Sequence, residues 1–185
     1  MPLPTEQIYS INDIYNLPDG TRAELIDGQM YMMAPPSTIH QRLVMKTSYL
    51  IQDYITKNSG SCEVFPAPFA VFLNSDDKTY VEPDISIICD KDKLDDKGCQ
   101  GAPDWILEIV SPSSKRMDYY IKLTSYRLAG VREYWIIDPM KETVIVYDMA
   151  NDSGPTIYSL TDKIKVNIYD DLYIDFRDIM QAIKS

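Results

Sequence analysis

The 185-residue chain is poor in the residues that build soft-metal and disulfide frameworks, with three cysteines and a single histidine. Cys62, Cys89 and Cys99 are odd in number and lack CxxC spacing, which argues against a zinc site and makes reduced thiols the expectation. With His40 as the one imidazole, no histidine cluster can hold a metal. The N-terminal MPLPTEQIYS has neither a basic start nor an apolar run, so no secretory signal is read from it. No stretch approaches the ~20 apolar residues of a membrane span. A cytoplasmic protein free of the membrane is the expectation. Positive charge is also short, since 18 Lys and Arg face 28 Asp and Glu for a net charge of −10. Such a balance gives no long-range attraction for nucleic acid, although it leaves room for a local basic face around a cation. Lys115, Arg116, Lys122, Arg127 and Arg132 fall in one short span, while acids crowd residues 90–96. No phosphate-binding glycine loop, nucleophile elbow or internal repeat is present.

Hydrophobic residues at 45% make an ordinary globular composition, and the length suits one domain over residues 1–185. The stretch Asp104 to Lys122 is the most informative. Asp104 to Val110 alternates as a strand, with Trp105, Leu107 and Ile109 on one face and Ile106, Glu108 and Val110 on the other. Both faces are apolar, as in an internal strand, except at Glu108. A carboxylate there must be paired, hydrogen-bonded or cation-bound, because burying it bare costs several kcal/mol (order of magnitude) or forces protonation. Ser113 or Ser114 can cap a following helix whose apolar seam is Met117, Ile121, Thr124 and Leu128, with Asp118 and Lys122 on another face. Upstream, Asp84 follows Pro83 and opens a second core strand, Ile85 to Ile88. Two acids on neighbouring strands with a lysine nearby make a hard-cation site. A turn acid and a plain Glu108–Lys122 pair are the alternative for each acid taken singly.

Around these, Thr5 to Leu17 carries a weak helical pattern. Arg22 to Gly28 and Gln29 to Met33 read as a hairpin turning at Asp27-Gly28. Glu24 in its first strand is either exposed or part of the acidic site. Ser37 or Thr38 starts a helix to about Asn58 with a stripe of Ile39, Leu43, Leu50, Ile51 and Tyr54, and places His40 in the first turn. Cys62 to Leu73 is a strand broken by Pro66 and Pro68, hence bulged or at an edge. Asp90 to Gly101 reads as a charged loop, Val131 to Pro139 as an apolar strand. Glu142 to Asp148, Pro155 to Leu160 and Ile164 to Asn167 read as further strands, and Ile174 to Ile183 as a terminal helix.

Several of these residues fall in a familiar series: Glu24 with Asp27-Gly28; Pro35-Pro36-Ser37 and His40; Pro83-Asp84; Glu108, Ser111-Pro112-Ser113, Asp118, Lys122 and Tyr126; then Gly130-Val131, Glu133-Tyr134-Trp135 and Asp138-Pro139. The ensemble resembles the Uma2 family of restriction-endonuclease-like proteins, within the PD-(D/E)XK nuclease superfamily. The resemblance implies an α/β (α+β) fold, a mixed central sheet flanked by helices with additional N- and C-terminal strands. It also implies metal-dependent hydrolysis of DNA phosphodiesters by a cytoplasmic endonuclease. On it, Asp84 and Glu108 match the metal-binding acids, with the Ile109 backbone carbonyl as a further ligand for Mg²⁺ or Mn²⁺. The usual lysine position, two residues after the second acid, is Val110, and Lys122 from the following helix takes that role. Glu24, His40 and Asp118 are supporting candidates. A homodimer would serve cuts in both strands, and a nuclease fold that binds without cutting is the alternative function.

Overall fold

The computed structural model describes residues 7–184; of the entry helix expected over Thr5 to Leu17, Thr5 and Glu6 lie outside them. Within the described part, α1 is Ile11–Tyr15, β1 Ala23–Ile26, β2 Gln29–Met32 and α2 Thr38–Lys57. The hairpin forms where expected, because Asp27 (φ 50°) and Gly28 (φ 76°) both take the left-handed conformation that a two-residue turn requires. Ser37 caps α2 by accepting the N–H of His40. Then follow β3 Glu63–Pro66, β4 Val71–Phe72, β5 Ile85–Ile88, β6 Leu94–Asp95, β7 Gly98–Gln100 and β8 Trp105–Ile109. A π-helical segment, Met117–Ile121, runs into α3, Lys122–Ala129, which Gly130 stops at φ 93°. The chain closes with β9 Glu133–Asp138, β10 Thr143–Asp148, β11 Thr156–Ser159, β12 Lys163–Lys165, β13 Tyr173–Asp175 and α4 Phe176–Lys184.

The central sheet has six strands in the order β11-β10-β9-β8-β5-β3. Only β8 and β9 are parallel, and α3 is their crossover. This is a mixed sheet flanked by helices. One face, carrying Trp105, Leu107 and Ile109, packs on α2 and α4; Trp105 and Trp135 meet edge to face at 5.0 Å there. The other face, carrying Ile106 and Val110, packs under Tyr126 and the hairpin. The alternation read from the sequence of β8 therefore holds, and β3, with Pro66, lies at a sheet edge. Among the described residues no helix is long and apolar enough to cross a membrane.

Four expectations need correction. Leu128 is 83% exposed and Thr124 is exposed, while Asp118, Lys122 and Tyr126 are buried, so this helix turns its polar stripe inward. The reason is the acid on β8, which needs partners that leucine cannot supply. In α2 the buried stripe is His40, Leu43, Val44, Thr47, Ser48, Ile51 and Ile55, rotated from the expected one. Asp90 to Gly101 is not a loop but a hairpin that pairs with β4. Asp95 organises it by accepting the N–H groups of Lys97 and Gly98, and a Cβ at Gly98 would stand 2.2 Å from the Ala70 carbonyl. Finally, Cys62 and Cys89 are joined in a disulfide rather than left as thiols, and Cys99 is a buried free thiol. The Glu63–Ile88 register of β3 on β5 sets the two cysteines opposite each other.

Candidate active site

The site is assembled by strand register. Pairing of Ile85 with Leu107 continues one step further to set Asp84 opposite Glu108, where β5 begins and β8 ends. The Asp84 N–H donates to Glu108 Oε2 at 3.3 Å, and the Ile109 N–H donates to Asp84 Oδ2 at 2.7 Å. Two carboxylates facing each other across a ladder repel and destabilise it unless a positive group intervenes. That group comes from α3. Lys122 Nζ donates to Glu108 Oε1 at 2.8 Å and ion-pairs with Glu24 Oε1 at 2.9 Å. Helix spacing adds Tyr126, one turn on, whose hydroxyl donates to the same Glu108 oxygen at 2.6 Å. Glu24 in turn accepts the N–H of Glu82. His40 Nε2 lies 3.0 Å from Asp84 Oδ2, and its Nδ1 is buried without a partner among the described residues. Asp118 accepts from Ser114 Oγ at 2.5 Å.

Burial and crowding set the charges. Burial pushes the Glu108 carboxyl well above its usual value; Lys122 opposes this, and Asp84, Asp118 and Glu24 add to it. Burial disfavours the Lys122 ammonium, but Glu108, Glu24 and Asp118 outweigh it, so the amine is held charged. Asp118 is pushed up to about 6 by burial, against Lys122 and the Ser114 hydrogen bond. Burial works against a charged His40, yet Asp84, then Asp118 and the Ile109 backbone, raise its pKa. All six side chains named from the sequence, Glu24, His40, Asp84, Glu108, Asp118 and Lys122, line one cleft of about 610 Å³, as does Ile109. A surface fate for Glu24 and an ordinary surface pair for Asp118 are both ruled out by burial.

Sequence reasoning gave Tyr126 no role, although Asp118, Lys122 and Tyr126 recur every four residues, a spacing that could have marked it. Arg22, which donates to Glu82, and Tyr80, on Glu82 Oε1 at 2.7 Å, were also missed. They brace the strand segment that leads into Asp84.

The sequence matches the Uma2 family, described as "putative restriction endonuclease", over residues 9–166. The chain belongs to the Uma2 family. A curated relative, the uncharacterized protein slr1290 of Synechocystis, is 25% identical over 149 residues, covering 77% of this chain and 75% of that one. Among solved structures, one described as a "putative nuclease belonging to DUF820" from Anabaena variabilis superposes with a TM-score of 0.76 at 19% identity. The match covers 94% of this chain and 98% of that one, and establishes a shared fold. For this Uma2 chain a nuclease-like role follows, and with it a nucleic-acid substrate.

The donor set suits a hard divalent cation. Asp84, Glu108 and a main-chain carbonyl are all oxygen, and Mg²⁺ is ordinarily held by one or two carboxylates with waters filling the rest. Among the described residues no group of three or more His, Cys, Asp or Glu side chains is gathered as a ready-made metal cage.

Proposed function

We propose that this chain is a divalent-metal-dependent endonuclease that hydrolyses phosphodiester bonds in DNA. The observation that carries the reading is the convergence of Asp84, Glu108 and Lys122 from two strands and a helix into one cleft. Asp84, Glu108 and the Ile109 carbonyl would hold Mg²⁺ or Mn²⁺. Bound there, the ion would polarise a nonbridging phosphate oxygen and lower the pKa of an attacking water. Lys122, fixed between Glu24 and Glu108, orients that water or stabilises the extra negative charge of the pentacovalent transition state. His40 fixes the Asp84 carboxylate, and Glu24 fixes the amine. A duplex substrate calls for two such sites and hence a homodimer.

Plasmid DNA and a mixed-sequence single DNA strand, each incubated with the full chain and Mn²⁺ or Mg²⁺, test the reading. Cleavage is expected with either ion, abolished by chelation and by Asp84→Ala or Glu108→Ala, with unchanged circular dichroism. Cleavage that survives both substitutions overturns the site. The second reading, a nuclease fold that binds without cutting, is favoured by Val110 in place of the strand lysine and by a Lys122 already engaged by two carboxylates. It predicts Mn²⁺ uptake in calorimetry with no cleavage.

A further inference from the structure

The cleft has two unlike sides. Its floor carries the acids described above, while its wall carries Tyr31, Met33, Pro35, Pro36 and Pro68. Tyr31 pairs directly with Glu24 across the hairpin, so its ring stands on the same face as the carboxylate that holds Lys122. Met33, two residues on from Tyr31, continues the ladder through its N–H to the Arg22 carbonyl and shares that face, and Pro35, Pro36 and Pro68 are exposed. An apolar wall beside a hydrolytic floor has no use for a paired duplex, whose base faces are hidden in the stack. It does suit unstacked bases, which lie flat on aromatic and apolar side chains.

The charges count further against a duplex. The cationic residues lining the cleft are Arg22, His40 and Lys122, and each is already matched to an acid: Glu82, Asp84, and Glu24 with Glu108. A duplex presents a phosphate every ~1.7 Å along its axis and is gripped by many free Lys and Arg. A cleft with no free cation among its described lining residues, in a chain of net charge −10, lacks that grip. The exposed Lys115 and Arg116 flank Ser114 and Met117, which do line the cleft, and so supply a basic pair at one rim. One basic rim and one apolar wall match one backbone and its bases.

We infer that the cleft takes single-stranded nucleic acid, with bases on the Tyr31–Met33 wall and the phosphate on the acid floor. The inference rests on the nuclease reading for the identity of the substrate, and it removes the need for two sites in a dimer.

The test uses a fluorescein-labelled mixed-sequence DNA strand, alone and annealed to its complement, titrated with the full chain in Ca²⁺ buffer and read by anisotropy. The free strand is expected to bind more tightly than the duplex by tenfold or more (order of magnitude). Tyr31→Ala is expected to weaken strand binding ~5–100-fold, Tyr31→Phe to restore it, and Met33→Ala, at a half-buried position on the same face, to weaken it as well. Equal affinity for strand and duplex, or strand binding indifferent to Tyr31→Ala and Met33→Ala in folded variants, overturns the inference. The Mn²⁺ cleavage assay, run on the single strand as well as on the plasmid, reads the nuclease proposal separately. Strand-selective binding that follows Tyr31 without cleavage counts against that proposal and for this one.

Discussion

At the scale of single residues, the cleft is a contest between burial and pairing. Asp118 is 2% exposed and its carboxyl sits at about 6 against an ordinary 3.8, so its contribution to stability is whole below the unfolded value and is lost as pH rises through about 6. Asp118→Asn should therefore gain on the wild type by ~3 kcal/mol between pH 4 and pH 7, as read by urea denaturation at each pH. A difference that stays flat across that window would show that Asp118 does not titrate as described. Lys122 behaves in the opposite sense. Lys122→Met leaves Glu108, 3% exposed, without its ammonium, and should cost ~3–5 kcal/mol near neutral pH. The loss should shrink in acid, where Glu108 accepts a proton instead, and the same denaturation series measures it. Glu108 was legible in the sequence as an acid that needed a partner, because it interrupts an otherwise apolar strand. Its hydroxyl partner, Tyr126, was not, because an aromatic residue in a helix reads first as packing.

At the scale of elements, the π-helical turn does the positioning. Met117–Ile121 winds more loosely than an α-helix and so sets the rotational phase of everything after it. Deleting Tyr120, whose side chain is 70% exposed and packs little, should rotate α3 by ~100° and swing Lys122 away from Glu108. Nucleic-acid cleavage should fall to background while the sheet persists in circular dichroism; undiminished activity would mean that the amine is dispensable. Periodicity recovered the elements themselves: β8, β5, the first hairpin and α2 lie where their patterns put them. It missed the phase of α2 and α3, since a helix that serves a buried acid hides polar residues, and the hydrophobic stripe is then a false guide. The strand β13 was read as the start of the last helix, and the pairing of β6 with β7 as a loop, because strands of two or three residues carry almost no pattern.

At the scale of the molecule, one cross-link ties the sheet edge to its centre. The Cys62–Cys89 disulfide holds β3 to β5, the strand that Asp84 opens, across a separation of 27 residues. Closing a loop of that length should stabilise the oxidised form by ~3–4 kcal/mol. A thiol titration of the denatured, unreduced protein should find Cys99 alone, and reductant should lower the melting temperature. Three titratable thiols without reductant would overturn the pairing. The spacing of the cysteines gave no warning of it, because the two meet through antiparallel register rather than through proximity in sequence.

The amine of the site hangs from α3 while both of its acids are rooted in the sheet, and Val110 fills the strand position where a lysine would face the same side. Anchor and tool are thus mounted on separate parts. A change in the crossover's length, tilt or sequence therefore shifts the amine relative to the acids, and the sheet answers for it through the buried Glu108 that Lys122 and Tyr126 hold.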